Sequence, residues 1–377
     1  MKERNYGLDL YRICCMFLIT TIHILGYSNI TEAVPYTNFN FYLIYLIKVL
    51  QSFSISGFVL ISAYFLVSKK SSVQSSVKKV VSFELQTIFY SVLIMVLSIL
   101  LISTSVSKSN LLKSFFPMLT NHYWYPVNYA FLLLVSPILN KFIYVLSERA
   151  LKILVIGIFA LFGFVNLNPF FTAGIYVGHD SHSFLWFVCL YFIAAYIKLY
   201  GINCKISVPL LSFIISGSIL FTLYLFEGNI FGLRVKFEFI HSILQKVDLL
   251  SYNSLFPLIF TVSSFVLFSK INFKLPQAGA KVWSFTMPAV YVVYLLQEHN
   301  AVREKFWEVI NIERWATSPC LILIMLAIFL VLLAVSVILY ICFYFANKLF
   351  ISKVSQKIEL LIINALKKFK LTDDLNS

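Results

Sequence analysis

The chain has 377 residues, 60% of them hydrophobic and only 12% charged. A water-soluble domain covers itself with about 25% charged residues, so this composition excludes a soluble globular protein and points to a bilayer. The net charge of +14 would suit nucleic acid in a soluble protein, but here the basic residues fall in short loops between apolar runs, and no basic stretch interleaved with aromatics offers a nucleic-acid groove.

In chain order, the apolar runs predict about ten transmembrane helices, at 8–27, 42–66, 80–102, 122–140, 151–168, 183–200, 207–226, 251–269, 285–300 and 318–346. Each approaches the roughly 20 residues that cross the hydrocarbon as a helix. Basic residues precede the first run, as in a signal peptide. Arg12 stands inside that run, however, and no small-residue cleavage pattern follows it, so it reads as a retained first helix. Pro137 falls within the fourth run, where a membrane helix tolerates it if neighbouring groups satisfy the freed backbone.

Ten spans put both termini on one side. With the N-terminus inside, 20 of the 30 Lys and Arg residues lie in cytoplasmic segments and eight in outside segments, the asymmetry expected of a plasma-membrane protein with cytoplasmic termini. Residues 1–346 are expected to form the transmembrane domain and 347–377 a cytoplasmic tail. In that tail Ile351, Val354, Ile358, Leu361, Ile362, Ala365 and Leu366 recur at helical spacing. Lys353, Lys357, Lys367, Lys368 and Lys370 fringe them, so a basic amphipathic helix on the anionic inner leaflet is predicted. The six cysteines have no CxxC or Cys/His ligand spacing and read as packing residues. His179, Asp180 and His182 cluster in an outside loop without a further ligand, and no metal site is expected.

Ionisable residues inside a bilayer are costly and read first as functional. Arg12 and His23 are eleven residues apart in the first span, which leaves them about 20° from superposition on one helix face and about 16 Å apart along the axis. An arginine near the cytoplasmic mouth can hold phosphate through its planar donor fork. A neutral histidine deeper in can take a proton from a hydroxyl. A phosphorylated donor with a long arm ending in a thioester, such as acyl-coenzyme A, has a matching shape. The alternative is a snorkelling arginine and a histidine bonded to a neighbouring helix.

Arg12 and His23, preceded by Leu8-Asp9, resemble the first-span signature of the acyltransferase-3 membrane O-acyltransferases. So do Phe116-Pro117-Met118-Leu119-Thr120-Asn121-His122-Tyr123-Trp124-Tyr125, Ser136-Pro137-Ile138-Leu139-Asn140, Leu185-Trp186-Phe187 with Ala194-Ala195-Tyr196-Ile197-Lys198, and Tyr291-Val292-Val293-Tyr294-Leu295-Leu296-Gln297-Glu298-His299, which look like the branch that acetylates surface and capsular polysaccharides. The resemblance implies acetyl-CoA as acyl donor, no permanently bound cofactor, transfer that depends on His23, and a sugar hydroxyl of a cell-envelope polysaccharide or its lipid-linked precursor as acceptor. Two motifs depart from the family pattern. Ser56-Gly57-Phe58 and Ser62-Ala63-Tyr64 compete for a Ser-Gly-aromatic segment, and Lys78 and Lys79 stand where relatives have an arginine pair entering the third span. Lysines can bind donor phosphates as point charges.

Glu298 and His299 close the ninth span, at a level from which they could approach His23. There a carboxylate can orient an imidazole or contact sugar hydroxyls, or simply cap the helix. His122, Trp124 and Tyr125 suit a sugar-stacking platform, and an interfacial aromatic belt equally. Glu84 could pair with a nearby lysine or with Arg12, and Lys48 snorkel outward. The expected protein is therefore an all-α integral membrane O-acetyltransferase. The rival is a glycan or lipid transporter or flippase without transfer chemistry, in which buried Arg and His are equally at home.

Overall fold

The computed structural model describes residues 4–68, 71–102, 107–167, 182–202, 204–244, 248–271 and 273–368. Among them the regular structure is helical, and the chain is an all-α integral membrane protein. Seven helical stretches of the described residues are long and apolar enough to cross a membrane, while Phe184–Tyr200 and Leu255–Ser269 are apolar but shorter. His179, Asp180 and Lys370 lie outside the described residues.

The chain divides into two compact units. The first gathers Met1–Tyr64, Glu148–Ala278 and Ile310–Phe329. It holds α1 (Tyr6–Gly26), α2 (Phe39–Gln51), most of α3 (Ser54–Leu66), and later α7 (Glu148–Leu167), α8 (Phe184–Tyr200), α9 (Ser207–Glu227) and α10 (Leu255–Ser269). The second comprises Phe65–Ser147, Gly279–Val309 and Leu330–Ser377. Its helices are α4 (Val73–Ile102), α5 (Lys108–Phe115), α6 (Trp124–Val145), most of α11 (Gln277–Thr286), α12 (Ala289–Glu298), α13 (Arg303–Ile310), the latter part of α14 (Leu321–Ala346), and α15 (Ser352–Lys368).

The predicted second span is two helices, broken at Ser52–Phe53. Serine hydroxyls compete for the ladder there: Ser54 Oγ donates to Gln51 O at 2.7 Å and Ser52 Oγ to Lys48 O at 3.4 Å. The predicted ninth span starts earlier, at Gln277, and breaks at Met287–Pro288 before α12, because proline brings no N–H to the ladder. In α6, Pro137 removes the donor that would meet Leu133 O. The hydroxyl of Ser136 donates to that carbonyl instead, at 2.8 Å, and the helix continues to Val145.

After a π-turn at Asn347–Ile351, the tail forms α15, whose Ile358, Ile363 and Leu366 pack on Val73, Val77, Val81 and Leu85 of α4. Ser82 and Ser355 hydroxyls meet at 3.2 Å. Part of the predicted apolar stripe is therefore covered by protein, whereas Leu361 is 70% exposed, and Lys353, Lys357, Lys367 and Lys368 are exposed too. The face against α4 is rotated from the one that sequence spacing suggested.

Candidate functional site

Asn5 starts α1: its side chain accepts from Leu8 N at 3.1 Å and donates to Ser269 O at 2.9 Å. Gly7 lies so close to the end of α10 that an added Cβ would overlap the carbonyls of Phe268 and Ile271. The helix then presents Arg12, Met16, Ile19 and His23 along one face. Its other side is fixed by Tyr11, fully buried, which stacks on Phe53 at 5.6 Å and bonds Ser264 Oγ at 2.7 Å. Gly57 makes room for that ring, since a Cβ there would stand 2.5 Å from Tyr11 Oη and 3.0 Å from Cys15 Sγ. Ser56, its neighbour, accepts from Trp186 Nε1 at 3.0 Å.

Of the two competing motifs, Ser56-Gly57-Phe58 packs against the arginine helix through Gly57. In the other, Ser62 bonds back to Phe58 O, and Tyr64 O receives Lys198 Nζ at 2.7 Å.

Arg12 is part-exposed, with Nη1 3.7 Å from Asp9 Oδ1. The buried Asp9 carboxylate also accepts from Arg4 Nε at 2.5 Å. Asp9 therefore positions the guanidinium, a role its bare place in the sequence did not reveal. His23 is half-buried in the last turn of α1, its ring stacked on Tyr27 at 5.8 Å with an interplanar angle of 7°. The hydroxyls of two consecutive threonines in the preceding turn are tied to backbone: Thr20 to Met16 O and Thr21 to Leu18 O. Gln51 Nε2 donates to Thr21 Oγ1 at 3.0 Å.

The remaining predicted residues belong to the second unit. Lys78 and Lys79 are exposed on the first turns of α4. Glu84, further along α4, lies by the backbone of Met118, with one carboxylate oxygen buried and unpartnered. Trp124 opens α6. Tyr125 is buried in an aromatic group, stacked on Tyr129 at 5.9 Å and edge-on to Tyr294 at 5.8 Å. Glu298 ends α12 and pairs with Arg303 at 3.5 Å.

His299 is fully enclosed. Its Nδ1 accepts from Ala301 N at 3.1 Å, which leaves the proton on Nε2 to donate to Ser91 O at 3.0 Å. Burial lowers its pKa to about 4, against the pull of that Ser91 bond. His122 lies beside it, ring centroids 5.0 Å apart. Burial, followed by His299, Lys113 and Arg303, lowers His122 to about 3. Both imidazoles are neutral near pH 7.

Sequence spacing thus brings Arg12 and His23 together on α1, and places Glu298, His299, Trp124 and Tyr125 around the end of α12 and the start of α6. Lys78 and Lys79 stand more than three turns before Ser91 on α4, roughly 18–20 Å along its axis. Gln297 and Tyr123, quoted within the motifs but given no role there, and Ser91, which the sequence reading did not single out, are enclosed beside the second group. A glutamine on the face of an apolar span was the available signal.

A family model described as an acyltransferase domain matches residues 5–351, from the cap of α1 to the π-turn. The chain belongs to the acyltransferase-3 family. No curated protein and no solved structure matches it. This acyltransferase is a multi-pass membrane protein, and within the matched segment lie both polar residues of α1 and the whole enclosed group of the second unit.

Proposed function

We propose that this acyltransferase moves an acetyl group from acetyl-CoA to a sugar hydroxyl of a cell-envelope or capsular polysaccharide, in the plasma membrane and with both termini cytoplasmic. The observation that carries the reading is the shared face of Arg12 and His23 in a chain whose family performs acyl transfer. Arg12, steadied by Asp9, fits a donor phosphate through its planar fork. Lys78 and Lys79, in the second unit, can hold phosphate as point charges.

His23 accepts the proton of the acceptor hydroxyl as its oxygen attacks the thioester carbonyl. The carbon–sulfur bond breaks, the acetyl group stays on the sugar oxygen, and the departing thiolate recovers the proton as free thiol. Glu298, in the second unit, is the carboxylate assigned to the catalytic group. In the second unit Trp124 and Tyr125 stack on the sugar, and His299 is held by its bond to Ser91 O.

Acetate on the envelope glycan of cells carrying His23→Ala, at normal protein level, tests the reading. The expected result is loss of acetate, and undiminished acetate sinks it. Release of free thiol from acetyl-CoA by the purified protein separates transfer from mere transport.

A further inference from the structure

The second unit holds polar side chains that its own fold leaves unfinished. α4 and α12 run side by side in the same direction, tied by the Thr87 and Tyr291 hydroxyls at 3.0 Å and then by His299 to Ser91 O. Between these ties α12 places Tyr294 and Gln297 one turn apart on the face begun by Tyr291. Gln297 is completely enclosed, and neither its amide oxygen nor its nitrogen has a partner. Both ring nitrogens of His122 are in the same condition, and Tyr294 Oη reaches toward the backbone of Tyr125 without completing a bond. Tyr123 Oη reaches toward Ser91 Oγ without completing a bond. Buried polar groups in native folds are paired as a rule, so this concentration, where two helices and one loop meet, marks a place for a polar ligand.

The side-chain chemistry selects the ligand. An amide, a neutral imidazole and hydroxyls each both donate and accept. A carboxylate or phosphate only accepts, and calls for cations. The cations acting on His122 are Lys113 and Arg303. Arg303 is paired with Glu298, and the Glu84 carboxylate stands on α4 two turns before Ser91, so the surroundings do not favour an anion. A hydroxylated ring offers donors and acceptors on every edge, and Trp124 and Tyr125 lie at the adjoining start of α6.

We propose that His122, Tyr294 and Gln297 bind an uncharged pyranose, with Gln297 and His122 reading neighbouring hydroxyls. Naming that sugar the acceptor rests on the acyl-transfer reading given above. The inference divides acceptors into neutral hexosides, which bind, and uronic acids, which are rejected.

Thermal melting of the full-length protein in detergent, without donor, reads binding independently of transfer. The probes are neutral methyl glycosides, the matching uronic acids, and pantetheine as a polar mimic of the donor arm. Neutral glycosides are expected to raise the melting temperature of the wild type by several degrees and that of Gln297→Leu by none. Equal shifts from glycosides and uronic acids, or a shift from pantetheine alone, would overturn the proposal.

Tyr294→Phe removes a single hydroxyl and serves if Gln297→Leu does not fold. With transfer measured, either variant should raise acceptor KM at least tenfold while donor KM moves less than twofold. An unchanged acceptor KM contradicts the site. Glycoside binding without any thiol release from acetyl-CoA would leave the site standing and remove the acyl-transfer reading instead.

Discussion

The polar residues of the two units are held in opposite ways. On α1, Arg12 is braced by Asp9, the helix is locked from behind by Tyr11 and Gly57, and the functional groups remain partly open. In the second unit Gln297 and His299 are sealed from solvent, and several donors and acceptors have no partner in the fold. Leaving a buried polar group unpaired costs about 1–3 kcal/mol, so the second arrangement is expensive while the first is not. The difference is between polar groups braced within their own helix and polar groups that the fold leaves without partners.

Removing the base tests that division most severely. His23→Ala is expected to lower kcat for transfer by about 10²–10⁴-fold with acceptor KM little changed, read by thiol release. A variant that shifted KM and spared kcat would move His23 to the binding side of the comparison. Next in size is the brace behind α1. Gly57→Leu drives a side chain into Tyr11 and Cys15 and should cost about 1–3 kcal/mol by overpacking, seen as a lower melting temperature together with lost activity.

Acid should expose the second unit selectively. An unfolded histidine titrates near 6.5, whereas burial holds His122 at about 3 and His299 at about 4. Below pH 6.5 the unfolded chain takes up protons that the folded one refuses. Stability is therefore full above that pH and declines as pH falls toward 4 and 3, by about 1–2 kcal/mol per imidazole at pH 5. Melting curves between pH 7.5 and 5 check this, and His122→Phe should flatten part of the slope. The smallest effect expected is that of Asp9→Asn, which loosens Arg12 without removing it. A rise in donor KM of about fivefold, near 1 kcal/mol, with unchanged acceptor KM would confirm that Asp9 works through the guanidinium.

How much of this was legible in the sequence depended on whether the cause was local. The apolar runs and the helical spacing of Arg12 and His23 depend on neighbours along one helix, and the described residues hold seven helices long and apolar enough to cross a membrane, α1 among them. The break at Ser52–Phe53 was hidden because serines tolerate a membrane helix until their hydroxyls compete for its carbonyls. The face of α15 shifted because α4, far away in sequence, supplies its partner. The enclosure of His299 was not legible, because the carbonyl of Ser91, far away in sequence, helps to hold its ring. Family motifs pointed to the family, whose model spans residues 5–351, and do not distinguish a side chain that meets ligand from one that supports it.

The exchange at Ser136 and Pro137 has a genetic consequence. The hydroxyl of Ser136 occupies a carbonyl that Pro137 strips of its donor, so the value of each residue depends on the other. Ser136→Ala alone exposes an unsatisfied carbonyl, while in a Pro137→Ala background a restored N–H makes the same change nearly silent. The two positions should be epistatic: a population losing the proline first can then lose the serine freely, but the reverse order passes through a weakened protein.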